Sequence, residues 1–180
     1  MKLSIAAENP LEWLVGALGL APVPLLHTHM SFLRARAILV AVRLGFFEVL
    51  AGPPLSAEAV AVRCGTAAGP SRKLLDALVG AEYLTSSGGA YALTPMARRW
   101  MLAGSPRSLR DKLLFELIEW AMLEHLEEFV RTGAPLDLHG GSDAARWGAY
   151  QRAMRAMAGL SAPEMARRTP VPRGATAMLD

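Results

Sequence analysis

The chain has 180 residues, 52% of them apolar and 19% charged, which excludes a disordered polyelectrolyte and suits a compact domain with a sizeable core. A formal charge of +3 permits an anionic partner without indicating one. A single cysteine, Cys64, excludes an intrachain disulfide and a cysteine metal cluster; it fits a reducing compartment, with the cytoplasm as the expected location.

In chain order, Lys2 is followed by Glu8, Asn9 and Pro10, which interrupt any apolar signal-peptide core. The apolar stretch 13–26 is too short to span a bilayer and holds Gly16, Gly19, Pro22 and Pro24, so no membrane span is expected. Residues 10–20 read as a small apolar helix, with Pro10 in the first turn and Pro22 and Pro24 ending it. A helix of that kind at a terminus needs a partner. Residues 31–50 place Phe32, Ala35, Leu39, Val42, Phe46 and Val49 at alternating spacings of three and four, which predicts one amphipathic helix.

Gly52-Pro53-Pro54 breaks the chain, and Ser56 is the expected N-cap of a short helix that stops at Gly65. Ser71 is the expected cap of the next helix, whose inward face is Leu74, Leu75, Leu78 and Val79. Tyr83-Leu84-Thr85 and Tyr91-Ala92-Leu93-Thr94 flank a loop of Ser86 to Ala90, as in a β-hairpin. A helix-turn-helix followed by a hairpin is a winged helix, and the expected fold class is mainly α: a winged helix-turn-helix with a small β-hairpin plus long dimerisation helices.

Residues 109–130 return to helix, with Leu114, Phe115, Ile118, Met122, Leu126 and Phe129 on one apolar face and Leu113, Leu117, Trp120, Leu123 and Val130 among the glutamates opposite. Such a helix needs more than one neighbour, its own core and also a second subunit or a ligand. Thr132-Gly133-Ala134-Pro135 ends it, and Gly140-Gly141 marks a turn. A last helix is expected at 143–159, with Trp147, Tyr150, Met154 and Met157 on one face. Pro163, Pro170 and Pro172 then mark a linker, and 175–179 read as the start of a buried strand.

Three blocks together resemble the small-molecule O-methyltransferases, the family of plant caffeate-type and bacterial antibiotic-tailoring enzymes. Residues 37–50 close in Leu44-Gly45-Phe46-Phe47-Glu48, similar to that family's Leu-Gly-aromatic-acidic ending of a long helix. Leu74-Leu75-Asp76-Ala77-Leu78-Val79, leading into Tyr83-Leu84 and Tyr91-Ala92-Leu93-Thr94-Pro95, resembles its winged helix. Tyr150-Gln151-Arg152-Ala153-Met154 resembles its aromatic-Asn-x-Ala-Met helix, departing by Gln for Asn and Tyr for the usual Phe. The resemblance implies N-terminal dimerisation helices at 1–30, a winged-helix dimerisation domain at 31–104, a helical substrate-cleft and linker region at 105–162, and a linker with the first strand of a Rossmann-like methyltransferase domain at 163–180.

It further implies a homodimer, S-adenosylmethionine as methyl donor in the full-length family, and a small-molecule acceptor, an aromatic or polyketide-like hydroxyl. In that family the glycine-rich turn, the ribose-binding acid and the general-base histidine would follow such a strand and are not found in these residues, so no cofactor is expected on this chain alone, no residue here is assigned as catalytic, and the chain is expected to be inactive by itself. His125 among Glu124, Glu127 and Glu128 reads as a solvated helix residue rather than a base. His27 and His29, two apart, lack the i, i+4 spacing of a helical metal pair, and no metal site is expected. Trp120, Tyr150, Met154 and Met157 are the candidate substrate-binding residues, since flat acceptors favour aromatic and thioether walls; the plainer alternative is core packing.

The rival reading is a dimeric winged-helix transcriptional regulator that reads DNA with residues 71–81. Arg72 and Lys73 start that helix and Arg98, Arg99, Arg107, Arg110 and Lys112 follow the wing. Asp76 and Glu82 and a wing tip without Lys or Arg oppose it, so nucleic acid is not the expected partner.

Overall fold

The computed structural model of the chain describes residues 7–135, 143–170, 174, 176 and 177. The chain divides into two compact units, Met1–Arg36 and Ala37–Asp180. The architecture is mainly α with one small sheet.

In the first unit, α1 (Pro10–Ala17) starts where expected: the Asn9 side chain accepts from the Glu12 N–H at 2.9 Å, and the Glu12 carboxylate accepts from the Glu8 N–H and the Asn9 amide. The one-turn α2 (Val23–Leu25) runs through a π-helical turn, Leu26–Met30, into α3 (Ser31–Arg43). The Ser31 hydroxyl donates to the Leu26 carbonyl at the i−5 position that this wider turn leaves open. None of the residues of α1, α2 or the π turn is buried, and Leu11, Trp13, Leu18, Leu20 and Leu25 are each more than half exposed.

The second unit holds the core. The single helix expected at 31–50 is in fact broken: α3 ends at Arg43, Gly45 takes a left-handed φ of 79°, and α4 (Phe46–Val49) starts on a new axis. The break turns α4 onto a new axis, and its first two residues, Phe46 and Phe47, are both buried in the core. With Leu50, Val60, Leu75 and Leu78 they are the largest fully buried side chains among the described residues.

Ser56 caps α5 (Ala57–Cys64) by accepting from the Ala59 N–H, and Gly65 ends it at φ 64°, both as expected. Ser71 does not cap α6. That helix spans Ala68–Gly80, because Pro70 falls in the first turn, where its missing N–H costs no helical bond. Ser71 is buried instead, and its hydroxyl lies 2.7 Å from that of Thr66 in the turn between α5 and α6. At the end of α6, the Tyr83 N–H bonds to the Leu78 carbonyl and the Glu82 N–H to that of Val79, a Schellman closure that holds Glu82, a non-glycine, at φ 66°.

The hairpin is tighter than the expected five-residue loop. β2 (Leu84–Ser87) and β3 (Ala90–Leu93) pair antiparallel with Ser87 opposite Ala90, so Gly88-Gly89 alone make the turn, at φ 56° and 78°. Two successive positive φ values define the primed turn that matches strand twist, and glycine accepts both at no steric cost. A third strand absent from the sequence reading, β1 (Leu55–Ser56), pairs with β3, giving the order β1-β3-β2. Also unread was α7 (Pro95–Met101), although Thr94 caps it and Pro95 opens it in the standard manner.

The long helix expected at 109–130 is two, α8 (Arg110–Leu123) and α9 (Leu126–Thr132), parted at Glu124-His125 without a glycine or proline to mark it. The last helix is longer than expected. From its Asp143 cap, α10 (Ala144–Arg168) continues through Pro163 rather than ending at Gly159. The turn and the strand expected at 140–141 and 175–179 fall on, or largely on, residues outside those described. Among the described residues no helix is long and apolar enough to cross a membrane.

Candidate functional site

The junction of α4 with α7 and α8 explains the acidic residue after the two aromatics. The Glu48 carboxylate accepts from the Ala103 N–H at 2.7 Å and lies 3.7 Å from the Arg110 guanidinium, while Arg98 donates to the Ala51 and Gly52 carbonyls at 2.7 and 3.4 Å. These bonds fix the start of α8 to the core. From there α8 packs along α10, the most extensive helix pair among the described residues. Ala153, fully buried, keeps α10 slim at mid-length, and the Phe115 ring meets the edge of Tyr150 at 5.7 Å. Trp147 meets Tyr150 at 5.4 Å.

The apolar face of 109–130 divides its work along its length. Leu113 and Leu114 pack against the core. One turn further on, Ile118, Met122 and Phe129, with Leu117 and Ala121, line an open cleft of about 680 Å³. Ala134 and Pro135 close one side, and Arg146, in the first turn of α10, supplies a cation. His125 and Glu128 stand at the polar side of the lining. The Nε of Arg146 is buried without a hydrogen-bond partner. A larger, more polar cleft of about 1120 Å³ lies between Trp100, the turn at 105–108 and the far half of α10, including Arg152 and Arg155.

Of the four candidate substrate residues, Tyr150 and Met154 are half-buried on α10, Trp120 is half-buried on α8, and Met157 is 45% exposed. Tyr150 joins the aromatic contact between α8 and α10, and none of the four is among the residues that line either cleft. Sequence reasoning missed Arg146; the usable signal was its position one helical turn before Tyr150, on the same face of α10.

Among the described residues no group of three or more His, Cys, Asp or Glu is placed to hold a metal ion. Burial pushes the Cys64 thiol up, which favours its protonated form. S-adenosylmethionine calls for a strand that enters a glycine-rich turn ahead of a helix. The described residues do not fit it: Gly88-Gly89 joins two antiparallel strands instead. A DNA-reading role for α6 gains nothing either, since Arg72 is ion-paired with Glu58 and the hairpin tip carries only Ser87, two glycines and Ala90.

Comparison with known proteins agrees with the first two sequence blocks, at 37–50 and 74–95. Residues 26–103 match the O-methyltransferase dimerisation domain. Among similar proteins, the N,N-dimethyltransferase OxyT of Streptomyces rimosus is 31% identical over 129 residues, 67% of this chain and 38% of its own length. Acetylserotonin O-methyltransferase of Bos taurus is 35% identical over 110 residues, 57% of this chain and 32% of its own. The fold matches that of human N-acetylserotonin methyltransferase, solved in complex with SAM, with a TM-score of 0.69 and 20% identity over 91% of this chain and 50% of that one. The chain thus spans about a third of the length of these curated relatives and half of the solved one. Over residues 26–103, somewhat less than half of its length, the chain is similar to the O-methyltransferase dimerisation domain.

Proposed function

We propose that this chain is the dimerisation and acceptor-cleft part of an S-adenosylmethionine-dependent methyltransferase that acts on the hydroxyl of a flat, aromatic or polyketide-like small molecule. The observation that carries the reading is the cleft of α8, α9 and α10, an apolar trough with a few polar groups at one side, attached to a dimerisation domain of this family. The α5–α6 pair with the β2–β3 hairpin is the winged helix of that domain, used for assembly rather than for DNA. Trp120, Tyr150, Met154 and Met157, none of which is in that cleft's described lining, are proposed as further aromatic and thioether residues for the acceptor on the α8–α10 pair. The donor is held by residues other than those described, so the chain by itself transfers no methyl group.

Calorimetry tests this division of labour. S-adenosylmethionine titrated into the 180-residue chain should give no binding heat, whereas the chain extended through any codons that follow Asp180 should bind it. Heat from the 180-residue chain alone would place the donor among residues that this reading gives other roles.

The same reading makes the chain a homodimer. The exposed apolar side chains of the first unit, Trp13, Leu18, Leu25 and Phe32 among them, are the surface a second copy would cover. Sedimentation equilibrium should return twice the 19.3 kDa chain mass. Trp13→Glu, which sets a charge where a large aromatic would be desolvated, should raise the dimer dissociation constant by about 30-fold, the effect of losing one hot-spot residue. A clean monomer, or a Trp13→Glu dimer of unchanged affinity, removes this account of the first unit.

A further inference from the structure

The second cleft, between the 105–108 turn and the far half of α10, carries a charge imbalance that the acceptor reading does not use. Its shorter wall is tied to α7: the Ser105 hydroxyl donates to the Arg99 carbonyl at 2.5 Å and accepts from the Arg107 N–H at 3.3 Å, and the Leu109 N–H bonds to the Trp100 carbonyl at 2.7 Å. Arg107 stands exposed on that turn. The other wall is one side of α10, where the exposed Arg152 and Arg155 are followed at helical spacing by Ala156 and Gly159, whose short side chains leave a trough beside them.

Four arginines and two acids line this cleft, and both acids are already engaged. Glu164 pairs with Arg167 at 3.0 Å and also with Arg168, and Asp111 lies 3.9 Å from Arg110. Among the described residues no carboxylate stands within ion-pair distance of Arg107, Arg152 or Arg155. Uncompensated cations around one concave volume of about 1120 Å³ focus a positive potential there, which a convex surface would disperse into solvent.

We propose that this cleft binds a small molecule carrying two linked phosphates. Two phosphates bring about three to four negative charges at neutral pH, which matches three arginines, whereas a single phosphate or carboxylate leaves much of the cationic charge unmet. Guanidinium groups suit phosphate oxygens because each can donate two parallel bonds to one phosphate, and their long exposed side chains can settle around it. The site shares no lining residue with the cleft of α8, α9 and α10, so it stands independently of the acceptor reading.

The test titrates inorganic pyrophosphate, orthophosphate and citrate into the whole chain by calorimetry at low ionic strength. Pyrophosphate should bind at least about tenfold more tightly than orthophosphate, the effect of one further charge-assisted contact. Its affinity should fall several-fold at about 0.15 M salt, where exposed charges are screened. Citrate, similar in charge but built of carboxylates, should bind more weakly than pyrophosphate. Arg155→Gln, with native circular dichroism, should weaken pyrophosphate about tenfold, whereas Arg131→Gln, which removes the same charge from an exposed pair on α9, should leave it unchanged. In a nitrogen–proton correlation spectrum, the Arg107 and Gly159 amides should move on adding pyrophosphate and those of α9 should stay in place. Adenosine diphosphate separates the sources of the group: affinity no tighter than that of pyrophosphate supports a site for the phosphates alone, and tighter binding supports a nucleotide. No heat with pyrophosphate, citrate bound as tightly, or undiminished binding by Arg155→Gln overturns the proposal. An equal loss in Arg131→Gln and Arg155→Gln overturns it too, as a response to net charge alone.

Discussion

Phe46→Ala should cost about 3–5 kcal/mol of folding stability, as truncation of a buried phenylalanine does where the surroundings cannot close over the gap. The site offers little room to collapse. Phe46 is 1% exposed and belongs to a cluster with Phe47, Leu50, Leu75 and Leu78, of which none exceeds 2% exposure. It is also the first residue after the left-handed Gly45, so its backbone is fixed by the turn and cannot follow the neighbours inward. A domain of this size has about 5–15 kcal/mol in all, so the variant should unfold at much lower urea concentration, read by circular dichroism, with the slope unchanged. A loss below about 1 kcal/mol would mean that the core closes over the gap or that Phe46 does not anchor it. The surface variant Val62→Ala, on a residue 82% exposed, should leave the midpoint in place.

The run Leu44-Gly45-Phe46-Phe47-Glu48 thus has a physical reading beyond resemblance. The glycine breaks the helix, the two rings fill the core, and the carboxylate holds the turn before α8. The sequence showed the residues but not the break, because the three-and-four spacing of Phe46 and Val49 continues the pattern of α3 in register. Gly45 was the one local sign of it. At Glu124-His125 even that sign is lacking, so one apolar periodicity concealed two helices. Pro163 misled in the other direction: a proline normally ends a helix by removing a bond and crowding the preceding turn, yet α10 passes through it.

What was most legible was local chemistry with its own partner nearby: Ser56 as a cap, Gly65 and Gly133 as left-handed stops, and the hairpin between 83 and 94. The three-residue separations that define a cap can be counted along the chain. The site was less legible for the opposite reason. The cleft joins residues 117–135 to Arg146, and nothing in either segment states that the other faces it. Periodicity correctly gave Ile118, Met122 and Phe129 a surplus apolar face, and the structure supplies its use as a cleft wall. Tyr150 and Met154, drawn from the resemblance, lie on the same helix as Arg146 but not in the lining.

Removing the charge of Lys112 should destabilise the fold by about 1–2 kcal/mol near pH 7, less than the roughly 3–5 kcal/mol of a fully buried pair because its partners, all on α8, keep access to water. Lys112 itself is the most buried of the three: its side chain is 16% exposed, against 27% for Glu119 and 38% for Glu116. Its ammonium bonds to Glu119, lies 3.9 Å from Glu116, and stands 5.7 Å from the Phe115 ring centre. Burial holds the Glu116 carboxyl above its ordinary value, Lys112 pulls it back down, and Glu119 pushes it further up. Lys112→Met keeps the apolar stem over Phe115 and leaves two carboxylates facing each other. A carboxyl whose folded pKa is raised contributes stability that is present below its unfolded pKa and lost as pH rises through the folded value. In Lys112→Met that pKa rises further, so the deficit should be largest at neutral pH and shrink as pH falls through the folded value of Glu116. Adding Glu119→Gln should recover part of the loss at about pH 7 and little at about pH 4.5, near the ordinary range of a glutamate carboxyl. Urea unfolding of the three proteins at both pH values measures it, and a deficit independent of pH would show that packing, not charge, is what Lys112 supplies.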